Sequence, residues 1–356
     1  MLVRTTKRGA AMRVMPRDRQ RRPDGRPLID LRPGERPSER RPLVTGTHQP
    51  VMVEEVLHFL SPRPGGVYVD ATLGAGGHAE AVLDSVGGRC TLIGIDRDPF
   101  ALNLAAHNLA PWGGAVRLVQ APFDEIEWIV AGQGVDQVDG VLLDLGMSSM
   151  QIDDPERGFS FHRDGPLDMR MDPGSRLSAA EVVNSYDLDR LERVIRTYGE
   201  DRYARRIARA IGEARSRGPI RTTAHLAGIV ADAYPAPARK AGHPARRTFQ
   251  ALRIEVNDEL GRLERVLRSS IGLLSPGGRI VVLSYHSLED KMAKRLFASS
   301  SDPDAPLPGL GTSGEGVLQV LTRGAVLPSE AEVQRNPRAS SARLRAAARR
   351  PMGGGR

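Results

Sequence analysis

Three aspartates follow short apolar runs and could hold a nucleoside cofactor. Asp70 ends VYVD, Asp96 ends TLIGID and Asp144 lies in VLLDLG. A carboxylate at such a position can accept hydrogen bonds from both hydroxyls of a ribose. The alternative for Asp70 and Asp96 is that they cap the helices that follow. This spacing of acids favours a cofactor that carries a ribose.

A glycine-rich loop lies between the first two acids. Gly74, Gly76 and Gly77 in DATLGAGGH permit positive φ and a close approach of the backbone to a ligand. The helix predicted after them favours an anionic group at its N-terminus. Residues 74–79 also fit the dinucleotide pattern G-x-G-x-x-A, so a dinucleotide-dependent oxidoreductase is an alternative. Asp70 favours S-adenosylmethionine instead, because an acid there repels a pyrophosphate but suits the ammonium of a methionine moiety.

Apolar periodicity predicts the elements that position these groups. Strand-like apolar runs occur at 67–70, 91–96, 116–120, 138–146 and 276–287. Helical patterns separate them, including a long one at 254–274. Strands that alternate with helices predict an α/β fold, in which a parallel sheet has helices on both faces.

The alternation of strand-like and helical patterns stops in the middle of the chain. Between 153 and 249 the sequence shows charged helical patterns at 191–216 and 223–234, which predict an inserted helical domain for substrate recognition. The α/β domain is therefore expected in two segments, 45–152 and 250–334.

The positive charge lies at the two ends of the chain. The net charge is +8, yet residues 1–44 hold 13 Arg and Lys against 5 Asp and Glu, and residues 335–356 hold 7 Arg and no acid. We expect a disordered basic N-terminal extension at 1–44 and a basic C-terminal tail at 335–356. Basic tails suit phosphate backbones, although solvated ends without a partner remain the alternative.

Composition excludes several classes of protein. No run of about 18 apolar residues is present, so no membrane span is expected, and the basic N-terminus lacks the apolar segment of a secretory signal. Cys90 is the single cysteine, which excludes an internal disulfide and a cysteine zinc cluster. No motif demands a metal. A cytoplasmic enzyme fits best.

Eight stretches resemble the bacterial 16S rRNA (cytosine-N4)-methyltransferase family. They are HQPVMVEEVL (48–57), DATLGAGGHAEAVL (70–83), GIDRDPFAL (94–102), VDGVLLDLGMSSMQIDDPERGFSFHRDGPLDMRMD (138–172), YGEDRYARRIARAI (198–211), HPARRTFQALRIEVNDEL (243–260), GGRIVVLSYHSLEDK (277–291) and NPRASSARLRAAAR (336–349). RGFSF, PLDMRMD and SYHSLED are the most specific of these motifs. The resemblance implies a Rossmann-like S-adenosylmethionine-dependent methyltransferase domain with an inserted all-helical domain. It also implies methyl transfer to N4 of a cytidine in the decoding region of 16S rRNA, near the P site, on the assembled small subunit.

The resemblance also implies which residues contact S-adenosylmethionine. They are Gly76, Gly77, His78, Asp96, Phe123, Asp144 and Gln151. Asp70 and Gly74 are further candidates in the same loop. The ring of Phe123 could lie against the adenine, or it could be a core phenylalanine. Gln151 could hydrogen-bond the amino-acid end of the cofactor, or it could be a surface loop residue.

Cytosine N4 is a poor nucleophile, because its lone pair is delocalised into the ring. An enzyme must position it and accept its hydrogens. Asp144 is the first candidate for the acceptor, and Ser148 could assist it. His286 in SYHSLED could face the base, or it could open a helix in which Ser287 and Asp290 form a capping box.

The DLGMSS run lacks the aromatic residue that many DNA amino-methyltransferases carry after this acid. The target base must therefore be stacked from elsewhere, and Phe159, Phe161 and Tyr285 are the candidates. The alternative is that Phe159 and Phe161 are core residues beneath the inserted domain.

The target base must be splayed out of its stack to be methylated, and arginines of the insertion could hold the RNA around it. Arg170 could contact a phosphate or pair with Asp168. Arg202, Arg205 and Arg209 are predicted on one face of one helix, where they would form an RNA-facing stripe or a solvated face.

The expected partners are 16S rRNA and the small ribosomal subunit, without a membrane. The family resemblance implies a possible homodimer. Two further alternatives stay open, a methyltransferase acting on a protein or a small molecule and a non-catalytic RNA-binding assembly factor.

Overall fold

The computed structural model describes residues 30–31, 50–235, 237–238, 243–302 and 316–351. Its strands are β1 (Asp30–Leu31), β2 (Val67–Asp70), β3 (Thr91–Asp96), β4 (Val116–Gln120), β5 (Val138–Asp144), β6 (Leu274–Ser284), β7 (Leu318–Val320) and β8 (Arg343–Arg349). They form one sheet in the order β1-β4-β3-β2-β5-β6-β8-β7. Strands β2 to β6 are parallel, and β1, β7 and β8 run antiparallel to their neighbours.

The strand order reverses next to β2. The chain moves outward from β2 through β3 to β4, and then returns to place β5 and β6 on the other side of β2. In open α/β sheets a crevice forms at such a reversal, beyond the carboxyl ends of the strands, and ligands bind there. The topology therefore indicates one edge of the sheet as the place for a site.

Helices connect the strands. They are α1 (Val53–Leu60), α2 (Gly77–Ser85), α3 (Pro99–Asn108), α4 (Ile126–Gly132), α5 (Ser149–Asp153), α6 (Ala179–Ser185), α7 (Leu188–Gly199), α8 (Ala204–Arg215), α9 (Thr223–Ala233), α10 (Ala245–Asn257), α11 (Glu259–Leu273), α12 (Ser287–Ser301) and α13 (Glu330–Arg335). Among the described residues, no helix has the length and apolar character that a membrane crossing requires.

Both faces of the sheet are buried, as the continuous apolar strands predict. Helices α1, α2 and α3 contribute residues such as Val56 and Leu83 to the core on one face. Helices α4, α11 and α12 contribute residues such as Ile129 and Leu267 to the core on the other face. The predicted α/β fold of Rossmann type is thus confirmed.

Helices α6 to α10, between β5 and β6, share a third core of their own. The helix predicted at 191–216 is two helices, because the chain turns at Glu200, which has a φ of 46°. A Cβ on the preceding Gly199 would lie 2.8 Å from the carbonyl oxygen of Arg247, so only glycine allows α10 to pack so closely. The pattern at 254–274 is likewise broken at Asp258, whose φ is 48°.

The predicted segment boundaries at 249/250 and 334/335 both fall inside helices, α10 and α13. Helix α10 continues through residue 250. Arg343–Arg349 was expected in a basic tail, but it forms β8 between β6 and β7, because its apolar residues Leu344, Ala346 and Ala347 complete the core. Asp30 and Leu31 pair with β4, and the rest of the expected N-terminal extension lies outside the described residues.

Candidate active site at the carboxyl edge of the sheet

The carboxyl ends of β2, β3 and β5 bring Asp70, Asp96 and Asp144 to one edge of the sheet. Asp70 lies beside Gly94 of β3 on one side and beside Leu142 of β5 on the other. Parallel strands end on the same side of a sheet, so acids that are distant in the sequence border one crevice. This is the crevice that the reversal of strand order creates.

The glycine loop joins β2 to α2 across this edge. Gly74 and Gly76 have φ values of 55° and 88°, which are costly for residues with a Cβ. A Cβ on Gly76 would also lie 3.1 Å from the side chain of Leu109. Gly76 is the N-cap of α2 and offers no side chain to the first N–H groups of that helix. An anionic group of a ligand can take that place.

Asp96 fastens the glycine loop to β3. Its Oδ2 accepts a hydrogen bond from the Gly74 N–H at 2.9 Å, and its Oδ1 accepts one from the Asp98 N–H at 2.9 Å. Burial raises the pKa of Asp96 even though both N–H groups oppose the shift. The capping alternative is wrong for Asp96, because Asp98 is the N-cap of α3. Each oxygen of Asp96 has a second lone pair that can accept from a ribose hydroxyl.

Asp70 is almost completely buried, with 3% of its surface exposed. Its Oδ1 accepts a hydrogen bond from the Thr72 N–H at 3.2 Å. Burial raises the pKa of Asp70 to about 7, and the charges of Asp144 and Asp96 act in the same direction. A cation beside Asp70 would stabilise its ionised form, because the positive charge offsets the cost of burying the carboxylate.

Asp144 ends β5 and borders the crevice. The Tyr285 hydroxyl donates to its Oδ1 at 2.7 Å, and its backbone N–H donates to the Thr72 hydroxyl at 2.6 Å. Nδ1 of His78 lies 3.5 Å from its Oδ2, while Nε2 of His78 meets the Val51 carbonyl oxygen at 2.8 Å. The strand end, the glycine helix and the segment after β6 therefore converge on one carboxylate.

Gln151 is buried and held in place, unlike a surface loop residue. Its side-chain amide donates to Asp98 Oδ2 at 3.1 Å, and its Oε1 accepts from the Ser148 N–H at 3.2 Å. The same Asp98 oxygen accepts from Arg157 at 2.9 Å, and Arg157 also donates to the carbonyl groups of 170–171. Asp98 thus connects the edge of β3 to the RGFSF and PLDMRMD motifs.

Ser148, proposed from the sequence as an assistant to Asp144, instead contacts Gln151. Its Oγ accepts a hydrogen bond from the Gln151 backbone N–H at 3.3 Å. This reciprocal pair stabilises the start of α5 and orients the amide of Gln151. Phe123 is half-buried and packs with one side against the core beneath α4 and α11. The ring of Phe123 therefore packs on the core, and its contact with the adenine stays a prediction.

The two phenylalanines of RGFSF occupy different surroundings. Phe159 is 6% exposed and belongs to the core of the helical segment, so its ring cannot stack on a base without unpacking that core. Phe161 is half-buried and stacks on His243, with ring centroids 4.5 Å apart and planes inclined by 23°. It also meets Phe249 edge to face at 5.5 Å. The core alternative therefore holds for Phe159.

Arg170 forms the ion pair that was the alternative to a phosphate contact. Two of its nitrogens donate to the carboxylate of Asp168 at 2.8 and 2.7 Å, and a third donates to the Ser175 carbonyl at 2.8 Å. Asp168 holds the pKa of Arg170 above its usual value. The guanidinium fork is therefore engaged within the protein.

The arginine stripe is shorter than expected. Helix α8 begins at Ala204, so Arg202 precedes the helix and lies over the ring of Tyr203 at 4.7 Å. Arg205 and Arg209 lie one turn apart on α8, and both are exposed, as is Arg202. The surface remains basic, but one helix does not carry all three residues.

His286 is the N-cap of α12, and the expected capping box of Ser287 and Asp290 is wrong. The carboxylate of Glu289 accepts hydrogen bonds from the Tyr285 N–H at 2.9 Å and the His286 N–H at 3.3 Å. The Ser287 hydroxyl instead donates a hydrogen bond to the carboxylate of Glu200 at the end of α7. This cap fixes the backbone that carries Tyr285.

Glu259, His286 and Glu289 place possible ligand atoms within 4.8 Å of one another. Arg253, however, donates to both oxygens of Glu259 at 2.8 and 2.7 Å. Burial alone would raise the pKa of Glu289, but His286 and Arg253 overcome it and hold that pKa below its usual value. Glu259 is thus paired with Arg253, and Glu289 accepts the hydrogen bonds that cap α12.

Sequence reasoning missed two positioning residues. Asp98 was visible as Asp-Pro at a helix start, a common N-cap signal, but nothing local indicated its bonds to Gln151 and Arg157. Asn257 is buried, donates to the carbonyl of Met169 at 2.8 Å and accepts from the N–H of Met171 at 2.9 Å. It ties PLDMRMD to the junction of α10 and α11.

Comparison with known proteins identifies relatives along most of the chain. The MraW methylase family matches residues 45–350. A protein of Acidothermus cellulolyticus named ribosomal RNA small subunit methyltransferase H is 55% identical over 306 residues, which are 84% of this chain and 93% of that protein. The protein of the same name from Thermobifida fusca is 51% identical over 309 residues, or 85% and 93% of the two chains.

Proposed function

Because the chain belongs to the MraW methylase family and uses S-adenosylmethionine, we propose that it methylates N4 of one cytidine in 16S rRNA. The proposed cytidine lies in the decoding region near the P site, and the proposed substrate is the assembled small subunit. Membership of this family excludes the dinucleotide-dependent oxidoreductase. The observation that carries the proposal is the position of Asp144, which lies at the strand reversal and is contacted from three elements of the chain.

The residues of the crevice fit S-adenosylmethionine. Asp96 offers two carboxylate oxygens to the ribose hydroxyls, and the buried Asp70 suits the ammonium group. The open first turn of α2, at Gly76 and Gly77, suits the carboxylate of the amino-acid part. When bound, the cofactor supplies a methyl group activated by a sulfonium. The proposed contacts are Gly76, Gly77, His78, Asp96, Phe123, Asp144 and Gln151, with Asp70 and Gly74 beside them.

The proposed reaction is one displacement. S-adenosylmethionine held by these residues would supply the methyl group to the N4 lone pair, and the electron pair of the carbon–sulfur bond would remain on its sulfur. One N4 hydrogen then leaves as a proton, which Asp144 accepts and passes to solvent. A hydrogen bond from N4 to Asp144 also draws the lone pair out of conjugation with the ring, which makes N4 a better nucleophile. The role of Asp144 is therefore that of an acceptor held in a fixed orientation.

The RNA is proposed to cross the helical segment. Arg202, Arg205 and Arg209 are exposed on α8 and in the turn before it, where they can contact phosphates. Phe161, already stacked on His243, is the remaining aromatic candidate of RGFSF for contact with a splayed base.

A labelling experiment tests the proposal. The protein is incubated with small subunits that lack the modification, or with free 16S rRNA, together with S-adenosylmethionine carrying a labelled methyl group. We expect labelled N4-methylcytidine from one site, and faster labelling of the subunit than of free RNA. Another labelled nucleoside would overturn the N4 assignment. A labelled protein, or no label at all, would favour the two alternatives that remain.

Two further expectations belong to this proposal. An enzyme that acts on small subunits works in the cytoplasm, where the subunits assemble. A homodimer is also proposed, and light scattering after size exclusion would give its mass. A mass equal to one chain at micromolar concentration would contradict it.

A further inference from the structure

Tyr285 is joined to Asp144 by a partly buried hydrogen bond, and neither the cofactor contacts nor the helix cap accounts for it. The Tyr285 hydroxyl lies 2.7 Å from Asp144 Oδ1. Burial raises the pKa of Tyr285 well above its usual value, and the charge of Asp144 adds to the effect. The hydroxyl therefore keeps its proton across the physiological range and acts as a donor to the carboxylate.

The surroundings hold the ring of Tyr285 in this position. Glu289 accepts a hydrogen bond from the Tyr285 backbone N–H at 2.9 Å. Gly146, two residues after Asp144, has a φ of 103°, and a Cβ on it would lie 3.3 Å from Cδ2 of the Tyr285 ring. Glycine at 146 thus lets the chain turn directly over the ring, and the hydroxyl is aimed at the end of β5.

We infer that Tyr285 is a positioning residue for methyl transfer, which orients the Asp144 carboxylate and keeps it ionised while it accepts the N4 hydrogen. This inference rests on the proposed function of Asp144. A donated hydrogen bond stabilises the charged form of a carboxylate and sets the direction of its remaining lone pairs. Tyr285 is thus assigned to the acid and not to stacking against the target base.

The charged groups around this pair agree with the assignment. Asp144 faces His78 from α2 and the acid Asp70 from β2. Tyr285 faces Glu289 from α12, and the charge of Glu332 from α13 also acts on it. The negative charge of Asp70 therefore repels a negative charge on Asp144, and a neutral donor on Oδ1 offsets this repulsion.

The test compares Tyr285→Phe with the wild type on unmodified small subunits. We expect kcat to fall about ten- to a hundredfold, with little change in the Kd for S-adenosylmethionine. The acid limb of the kcat profile should move to higher pH, because a carboxylate without its donor holds a proton more tightly. Replacement of Tyr285 by 3-fluorotyrosine, whose hydroxyl is a stronger donor, should move the limb in the opposite direction.

The matched control is Tyr186→Phe. Tyr186 likewise donates to a carboxylate, that of Glu255, at 2.8 Å, but it lies in the helical segment. Its loss should leave the acid limb in place. In an Asp144→Asn background, Tyr285→Phe should have no further effect on kcat, since its partner carboxylate is gone.

Three results would overturn the inference. They are an unmoved acid limb in Tyr285→Phe, an equal shift in Tyr186→Phe, and additive effects of the substitutions at 144 and 285. Failure of the proposed function is a different result, because the wild type itself would then make no N4-methylcytidine.

Discussion

The carboxyl edge of the sheet and the helical segment between β5 and β6 use their polar residues differently. At the edge, Asp70, Asp96 and Asp144 converge on one crevice, and their hydrogen bonds connect the strands to the glycine loop. In the helical segment, Arg170 is bound to Asp168 and Phe159 lies in the core. A residue that follows a parallel strand has its place determined by the sheet, whereas the role of a residue on a packed helix depends on its neighbours.

The largest effect that separates the two regions is expected from Asp144→Asn. An amide cannot take the N4 proton, so methyl transfer to the subunit should fall about a thousandfold, within the range for a lost general base. Thermal unfolding should change little. Asp153→Asn, at an exposed acid paired with Arg338, is the control and should keep its activity. An active Asp144→Asn enzyme would remove Asp144 from the chemistry.

Asp70→Asn should weaken cofactor binding while it stabilises the protein. Loss of a buried partner for the ammonium should raise the Kd for S-adenosylmethionine about ten- to a hundredfold, corresponding to roughly 1.5–3 kcal/mol for a hydrogen bond to a charged group. Calorimetric titration measures this change.

The stability change has a defined pH dependence. The pKa of Asp70 is raised from 3.8 to about 7 on folding, so ionisation costs stability progressively between those values. The wild type should therefore match Asp70→Asn near pH 4 and be less stable at pH 8, by up to roughly 4 kcal/mol at 1.36 kcal/mol per pKa unit. Urea unfolding at both pH values measures the difference. An equal difference at both pH values would contradict the buried ionisation.

Asp98→Asn tests the connection between the two regions. The amide can still cap α3, but the ion pair with Arg157 is lost, and we expect a decrease of about 2 kcal/mol in the free energy of unfolding, less than for a fully buried pair. Gln151 loses its anionic acceptor too, so cofactor affinity should fall severalfold. If stability falls but affinity does not, Asp98 supports the fold without positioning Gln151.

The smallest effect is expected on the exposed face of the helical segment. Arg205→Gln with Arg209→Gln should raise KM for the subunit a few fold and reduce the salt dependence of binding by about one ion per phosphate contact. The Kd for S-adenosylmethionine should not change. The control of equal charge change is Arg268→Gln with Arg295→Gln, at exposed arginines of α11 and α12. Equal effects from both double substitutions would indicate general electrostatics in place of a specific RNA face.

The sequence by itself determined the α/β class, the strands that carry the three acids and the glycine loop. Apolar runs long enough only for strands, followed by Asp or Gly, leave few arrangements once the strands are parallel. The motifs from residue 48 onward also indicated the family that the chain was found to match.

The tertiary structure alone decided which polar side chains are engaged within the protein. Tyr285 reaches Asp144, Asp98 holds Gln151 and Arg157, and Asn257 fixes the PLDMRMD loop. The tertiary structure also places residues 343–349, predicted as part of a basic tail, in β8 beside β6. These partners are distant in sequence, and their pairing depends on how buried groups satisfy their hydrogen bonds. Local sequence patterns predict which element carries a residue, but the packing of the fold determines which groups its side chain contacts.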